Sequence, residues 1–166
     1  MRKYRINEGV RINRDVKKRE CAFTDVFEGF QQVQAVKRIF GKDTPKALAG
    51  LMVKVPSNAR WGYMWVDEKK GVLVVNRSYL REGDIASLYL DVIHELVHIK
   101  QRMEGRDLFD EKYEYVDRPT EIEAYTVAAG EALRIGMSRR QVLKYLEIPG
   151  WLSGDVLKRL CRNIGM

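Results

Sequence analysis

The chain has 166 residues, a length that suits one domain with a substantial hydrophobic core. Its composition is 45% hydrophobic and 32% charged, and its only cysteines, Cys21 and Cys161, are too few for a disulfide scaffold. The first twenty residues lack the apolar stretch of a signal peptide, and no run reaches the length of a membrane span. We therefore expect a cytoplasmic protein with reduced thiols and no membrane contact, and a single bridge between Cys21 and Cys161 is the alternative.

The net charge of +7 is concentrated at the two ends of the chain. The basic N-terminal segment, residues 1–20, and a basic C-terminal helical extension, residues 134–166, each carry a net charge of +5. Such ends can dock on nucleic acid or on an acidic partner. Solvated charge that keeps the protein soluble is the preferred interpretation, because no nucleic-acid motif or interleaved aromatic residues accompany the basic residues. We expect one domain over residues 1–166.

The first predicted element is an amphipathic helix from Cys21 to Phe40. Apolar residues return every three to four positions, and Gly41 follows as a stop signal. We assign this apolar stripe to the core and give it no ligand: Phe23, Val26, Phe27, Phe30, Val33, Val36 and Phe40.

Three short strands are predicted next, at Leu51–Val55, Arg60–Val66 and Val72–Asn76. The polar run Asp67–Gly71 ends in glycine and predicts a hairpin loop between the last two strands. A small sheet therefore precedes the next helix.

The segment HELVH at residues 94–98 carries the most chemical information in the chain. On a helix, His94 and His98 point from one face at a single cation, while Glu95 can reach a water held by that cation. These are the only two histidines in the sequence. The alternative is a pair of surface histidines on an amphipathic helix.

The surroundings of this motif predict a helix of about 19 residues. Asp84 can cap its first turn, and Met103–Gly105 provides a stop signal. Apolar residues fill the side of the helix opposite the histidines, so we expect a polar edge and a buried back.

Met103–Val116 is polar and rich in aromatic residues, and it predicts a loop over the cleft. Pro119 then suits the first turn of a second helix, with Asp117 or Thr120 as its cap, that continues through Glu121–Leu133. Two further helices are predicted, one with a capping box at Ser138–Gln141 and one over Asp155–Arg162, after a break at Pro149-Gly150.

A hydrolytic zinc site needs three protein ligands and one open position for water. The sequence has no third histidine and no suitably placed cysteine, so the third ligand must be a carboxylate. The all-histidine HExxHxxGxxH pattern of the metzincins is absent.

The segments HELVHIKQ and PTEIEAYTVAA together resemble the zincin metallopeptidases of the gluzincin type, and in layout the small, minimal gluzincin-like peptidases. The Glu-Ala pair of EIEAYTVAA also resembles the third-ligand helix of ImmA/IrrE-type proteins. The resemblance covers about a quarter of the chain and lacks the NExxSD-like signature of large gluzincins. It implies one Zn²⁺ per chain, with His94, His98 and Glu123 as ligands and Glu95 as general base.

The resemblance also implies an α+β fold. We expect a small zincin-like domain, in which a short antiparallel or mixed sheet packs on the HExxH helix and on a following ligand helix, with N- and C-terminal helices. A peptide or protein is the implied substrate.

Helical periodicity gives a second candidate for the third ligand. Glu121 falls inside the apolar arc of the second helix, where a buried carboxylate needs a partner such as a metal. Glu123 lies outside that arc, where it could complete a capping box with Thr120. The resemblance favours Glu123, and Glu121 stands in a first turn where helical angles are least regular. We prefer Glu123 and keep Glu121 as the alternative.

The expected reaction is peptide hydrolysis, in which Glu95 takes a proton from water and delivers it to the leaving amine. A further donor must stabilise the oxyanion, and position alone makes these residues candidates: Tyr113, Tyr115, Tyr125 and Arg118. The free edge of Val72–Asn76 or of Arg60–Trp65 could bind an extended peptide. Alternatively, Trp61, Tyr63 and Trp65 form only a half-buried strand face.

Two other functions remain open. The protein could be a regulatory protease that cleaves one repressor or nucleic-acid-associated protein, with its basic ends as the targeting surface. It could also be a zinc-stabilised interaction module without turnover. Glu95 argues against the module, because a structural zinc site has no use for a carboxylate that only contacts water.

Overall fold

A computed structural model describes residues 4–57, 63–147, 150, 152 and 154–166. Helices and strands both contribute, and the predicted α+β class is confirmed. The strands are β1 Arg11–Ile12, β2 Glu20–Ala22, β3 Phe27–Glu28, β4 Met52–Lys54, β5 Met64–Asp67 and β6 Val72–Val75. The helices are α1 Phe23–Val26, α2 Gln34–Phe40, α3 Thr44–Ala49, α4 Arg77–Glu82, α5 Ile85–Met103, α6 Pro119–Arg134, α7 Arg139–Glu147 and α8 Gly154–Asn163.

Four strands form a small mixed sheet in the order β2-β4-β6-β5. β4 and β6 are parallel, whereas β2 and β5 run antiparallel to their neighbours. β6 therefore has a partner on each side, which excludes Val72–Asn76 as a free edge. β5 is an edge strand in the described part of the chain. Of the other predicted edge, Arg60–Gly62 lies outside the described residues.

The predicted hairpin loop between β5 and β6 is confirmed. The amide of Gly71 donates to the carbonyl of Asp67 over 2.7 Å. Gly71 has a φ of 65°, in the left-handed region that glycine adopts without steric cost. This tight turn places β5 directly against β6.

Helix α5 has the 19 residues that the sequence predicts. The carboxylate of Asp84 accepts from the amides of Ala86 and Ser87 at 3.1 and 3.0 Å, so the predicted cap is present. Because one face of α5 is continuously apolar, the helix packs into the core, where α6 is its most extensive partner and α2 and β5 also contact it. The HExxH segment is thereby placed between α6 and the edge strand.

The prediction of one continuous helix over Cys21–Phe40 is wrong. Cys21 belongs to β2, and the chain passes through α1, β3 and a short 3₁₀ helix before α2 begins. Gly29 has a φ of 82°, and a Cβ there would lie 2.0 Å from the carbonyl oxygen of Gly9. The close approach of the N-terminal segment therefore breaks the helix. The core assignment is confirmed, since the whole apolar stripe of the prediction is buried.

The basic N-terminal segment is anchored to the rest of the fold. β1 pairs with β3, and the guanidinium of Arg14 donates to the carbonyls of Arg81 and Gly83 at 3.1 and 2.8 Å. Arg77 donates to the carbonyl of Lys18 over 3.1 Å. Several of the charges near this segment thus hold backbone in place.

The C-terminal helices follow the sequence closely. The amide of Gln141 donates to the hydroxyl of Ser138 over 3.3 Å and the amide of Ser138 donates to the Gln141 side chain over 2.8 Å, so the predicted capping box is present. α8 covers the predicted final helix, while Pro149 of the predicted break lies outside the described residues. Cys21 and Cys161 are both buried free thiols. Within the described residues, no helix combines the length and apolar character needed to cross a bilayer.

Candidate metal centre

His94 and His98 lie one helical turn apart on α5, and each is only 6% exposed. Their Nε2 atoms face each other at 3.0 Å. The ring of Tyr125, from α6, packs edge-on against the ring of His94 with 4.4 Å between centroids. Packing thus holds two imidazole nitrogens toward one point, as the i, i+4 spacing predicts.

The carboxylate that completes this cluster is Glu121. It stands in the first turn of α6, is 5% exposed, and places Oε2 at 3.3 Å from His94 Nε2 and 3.4 Å from His98 Nε2. The apolar arc of α6 that contains Glu121 therefore faces α5, as helical periodicity predicts.

The preference for Glu123 is corrected by the same geometry. Its side chain is 49% exposed and lies away from the histidines, where it accepts hydrogen bonds from Gln101 and Arg106. The proposed capping box with Thr120 is also absent, since the Thr120 hydroxyl lies 3.5 Å from the carbonyl oxygen of Leu108. Two residues beyond Glu121 correspond to about 200° around the helix, so the two carboxylates cannot both reach the histidines.

The geometry of the three side chains fits a single metal ion. Nitrogen and oxygen ligands at 2.0–2.2 Å from a tetrahedral zinc are about 3.3–3.5 Å apart, close to the separations within the cluster of His94, His98 and Glu121. The buried Oε2 of Glu121 has no hydrogen-bond partner among the described residues. A buried carboxylate oxygen without a donor is costly unless a cation satisfies it. The three residues therefore lie close enough to hold one metal ion.

The electrostatics of the cluster also favour positive charge. Burial lowers the pKa of His94, while it raises that of Glu121 less than the two histidines lower it, so Glu121 stays ionised. For His98, burial disfavours the charged form, but the close contact with Glu121 and the charges of Glu95 and Glu121 raise its pKa to about 9. In the absence of metal, a proton on His98 neutralises Glu121.

Comparisons with known proteins assign no function to this site. No protein-family model, curated protein or solved structure matches the chain. Every assignment at this centre therefore rests on the positions and chemistry of its residues.

Glu95 lies beside the cluster and outside the ligand triangle. It is 8% exposed and accepts a hydrogen bond from the backbone of Val66 on β5. Burial raises its pKa to about 8, with the charges of Glu121 and Asp91 acting in the same direction and that of His98 opposing them. The HExxH glutamate thus stands between the candidate ligands and the edge strand.

Two of the predicted oxyanion donors contact each other beside His94. Tyr125 packs on His94, and its hydroxyl is 3.1 Å from that of Tyr115. The charges of Glu121 and Glu95 act on both tyrosines. The guanidinium of Arg118 lies over the Tyr115 ring, 5.8 Å from its centroid, and its buried Nε has no hydrogen-bond partner among the described residues. Tyr113 is 44% exposed, so it is the least well placed of the four.

Asp91, one turn before Glu95 on α5, forms a second polar group that the sequence analysis left without a role. Its carboxylate accepts hydrogen bonds from the hydroxyls of Tyr79 and Tyr145 at 2.5 and 2.8 Å. Burial raises the pKa of Asp91 to about 6 although both tyrosines oppose the shift. The carboxylate thereby ties α4 and α7 to the helix that carries the histidines.

We expect Asp91→Asn to change how the stability of the metal-free protein depends on pH. The pKa of Asp91 is about 6 in the folded chain against an ordinary 3.8, so the folded state binds this proton more tightly than the unfolded state. The contribution of Asp91 to the free energy of unfolding is therefore complete below pH 3.8. It falls by about 3 kcal/mol as the pH rises through 6. Urea unfolding in a chelator at pH 4 and pH 7 measures the change. Equal pH dependence in wild type and variant would contradict the expectation.

Proposed function

We propose that the protein is a zinc-dependent metallopeptidase of the zincin type that hydrolyses peptide bonds. His94, His98 and Glu121 are the proposed zinc ligands, and Glu95 is the proposed general base. The single observation that carries this proposal is the position of Glu95, buried beside the ligand triangle and hydrogen-bonded to Val66 on the edge strand. A purely structural metal site gives no reason to bury a carboxylate that contributes no ligand atom.

The set of donors supports zinc. Two imidazole nitrogens and one carboxylate oxygen are the ligand set of hydrolytic zinc sites that leave the fourth position for water or substrate. When bound, such an ion lowers the pKa of water and polarises a carbonyl group. Binding of the ion would release the proton that His98 carries without metal, and Nε2 of each histidine and the ionised Glu121 would then provide the lone pairs that this requires.

Glu95 is suited to move the proton. In the metal-free chain, burial raises the pKa of the Glu95 carboxyl group, and this favours the uptake of a proton by its carboxylate. It can therefore accept a proton from water and later donate it to the leaving amine. The hydrogen bond from the amide of Val66 holds one end of the carboxylate group, so its orientation is fixed before substrate arrives.

The edge strand supports an extended peptide as substrate. Tyr63 O accepts from Asn76 N over 2.9 Å, so the backbone groups of alternate residues, Tyr63 and Trp65, face β6. Those of Met64 and Val66 face the free edge, where the amide of Val66 donates to Glu95. An added strand can hydrogen-bond the backbone groups of Met64 and the carbonyl of Val66 regardless of its sequence. The hydroxyl pair of Tyr115 and Tyr125 is the proposed oxyanion donor.

Metal analysis tests the foundation of this proposal. After purification without chelators, we expect about one zinc per chain, because the three ligands form one centre. His94→Ala and His98→Ala should each remove the metal, since a site with two remaining ligands binds zinc far more weakly. Elemental analysis of the dialysed proteins measures this. Retention of stoichiometric zinc by either variant would contradict the assignment of that histidine as a ligand.

A further inference from the structure

Gln101 is a buried amide that contacts both the histidine helix and the start of α6. It is 1% exposed and lies one turn after His98 on α5. Its Oε1 is 2.8 Å from His98 Nδ1, and its Nε2 donates to the carbonyl of Thr120 at 3.0 Å and to the carboxylate of Glu123 at 2.8 Å. All three contacts are within hydrogen-bonding distance.

The chemistry of these partners fixes the orientation of the amide. The carbonyl of Thr120 and the carboxylate of Glu123 can only accept, so the NH₂ group of Gln101 must face them. Its oxygen then faces His98, and His98 Nδ1 must carry a hydrogen to donate to it. A neutral His98 is thereby held in the tautomer whose free lone pair is on Nε2, the atom that faces Glu121.

The same amide also sets the position of the third ligand. Thr120 directly precedes Glu121, so the hydrogen bond to its carbonyl ties the first turn of α6 to α5. That turn has no side-chain cap, and its beginning would otherwise be free to fray. Glu123 is held in turn by an ion pair with Arg106.

We propose that Gln101 is the positioning residue of the metal centre, fixing the His98 tautomer and the place of Glu121, with Glu123 and Arg106 as its outer anchors. This inference rests on the proposed zinc site. Among the described residues His94 Nδ1 has no hydrogen-bond partner, so the only tautomer control that the described structure contains acts on His98. Partners of metal-bound histidines of this kind commonly contribute about 10–100-fold to metal affinity.

The test uses Gln101→Met, which keeps the length of the side chain and removes its hydrogen bonds. We expect the dissociation constant for Zn²⁺, measured by competition with a chromophoric chelator, to rise about 10–100-fold. Gln141→Met is the matched control, because Gln141 also bridges two segments through Ser138 and Tyr4 but lies on α7. Its zinc affinity should equal that of wild type.

A spectroscopic measurement distinguishes positioning from general destabilisation. The sequence has only two histidines, so ¹⁵N-labelled, zinc-loaded protein gives a simple imidazole spectrum. In wild type the Nδ1 proton of His98 should be protected from exchange with water, and in Gln101→Met that protection should be lost. The absorption spectrum of the Co²⁺ form should shift in the same variant.

A second variant separates the two contacts. In Gln101→Glu, the introduced carboxylate can still accept from His98 Nδ1, but it can no longer donate to the carbonyl of Thr120 or to Glu123. The Nδ1 proton of His98 should therefore stay protected while the dissociation constant for Zn²⁺ rises by about tenfold or more, and this variant tests the inference if Gln101→Met does not fold. Unchanged zinc affinity and an unchanged His98 signal in Gln101→Met, or unchanged zinc affinity in Gln101→Glu, would overturn the inference. Absence of zinc from wild type would instead overturn the proposed function.

Discussion

Glu95→Gln should abolish peptide hydrolysis while the protein keeps its fold and its zinc. The amide has nearly the shape of the carboxylate but cannot accept a proton from water, so the rate should fall by at least about 10²–10⁴-fold. Zinc content should not change, because Glu95 lies outside the triangle of His94, His98 and Glu121. The measurement is cleavage of a diverse peptide mixture, with zinc determined in the same samples.

Glu104→Gln is the matched control for this experiment. Glu104 follows the last turn of α5, is 45% exposed on its side chain, and pairs only with Lys100 among the described residues. Its replacement should leave cleavage unchanged. Equal cleavage by wild type and Glu95→Gln would reveal a contaminating protease. No cleavage by wild type, with zinc present, would favour narrow specificity, latency or a non-catalytic zinc module.

Glu121→Ala and Glu123→Ala should differ strongly in metal binding. Loss of Glu121 removes a proposed ligand and leaves two imidazoles, so zinc affinity should fall by more than the 10–100-fold expected for an outer partner. Glu123 contacts the centre only through Gln101, so its loss should cost no more than about that factor. Chelator competition with purified proteins measures both constants. A larger loss in the Glu123 variant would restore the assignment that the family resemblance favoured.

Periodicity predicted the elements whose contacts are local in the chain. Helix α5 was predicted to within a residue because its cap, apolar face and stop signal lie inside one segment. The buried side of α6, with Glu121 on it, also followed from periodicity. Glu123 was preferred over Glu121 because the short sequence resemblance was given more weight than the helical angles in a first turn. In the structure that turn is regular, because Gln101 holds it from α5.

The features that the sequence did not reveal depend on contacts between distant segments. The break near Gly29 results from the approach of Gly9, twenty residues earlier in the chain. The role of Gln101 could not be predicted from the sequence, because two of its partners, Thr120 and Glu123, are on another helix. Glutamine is also common on helix surfaces. The burial of Asp91 could not be predicted either, because the tyrosines that contact it come from α4 and α7.

The proposed ligands come from two helices, α5 and α6, that are joined by a long connection, so a shared metal would affect the stability of the fold. A metal shared by His98 and Glu121 joins the two ends of the intervening segment, as a disulfide bond would. Closing a loop of about 20 residues in this way restricts the unfolded chain and contributes about 3 kcal/mol in the entropy model of crosslinks. The ion proposed for the reaction would then also act as a reversible crosslink, and its release would loosen the aromatic-rich loop that carries Phe109 and Tyr113.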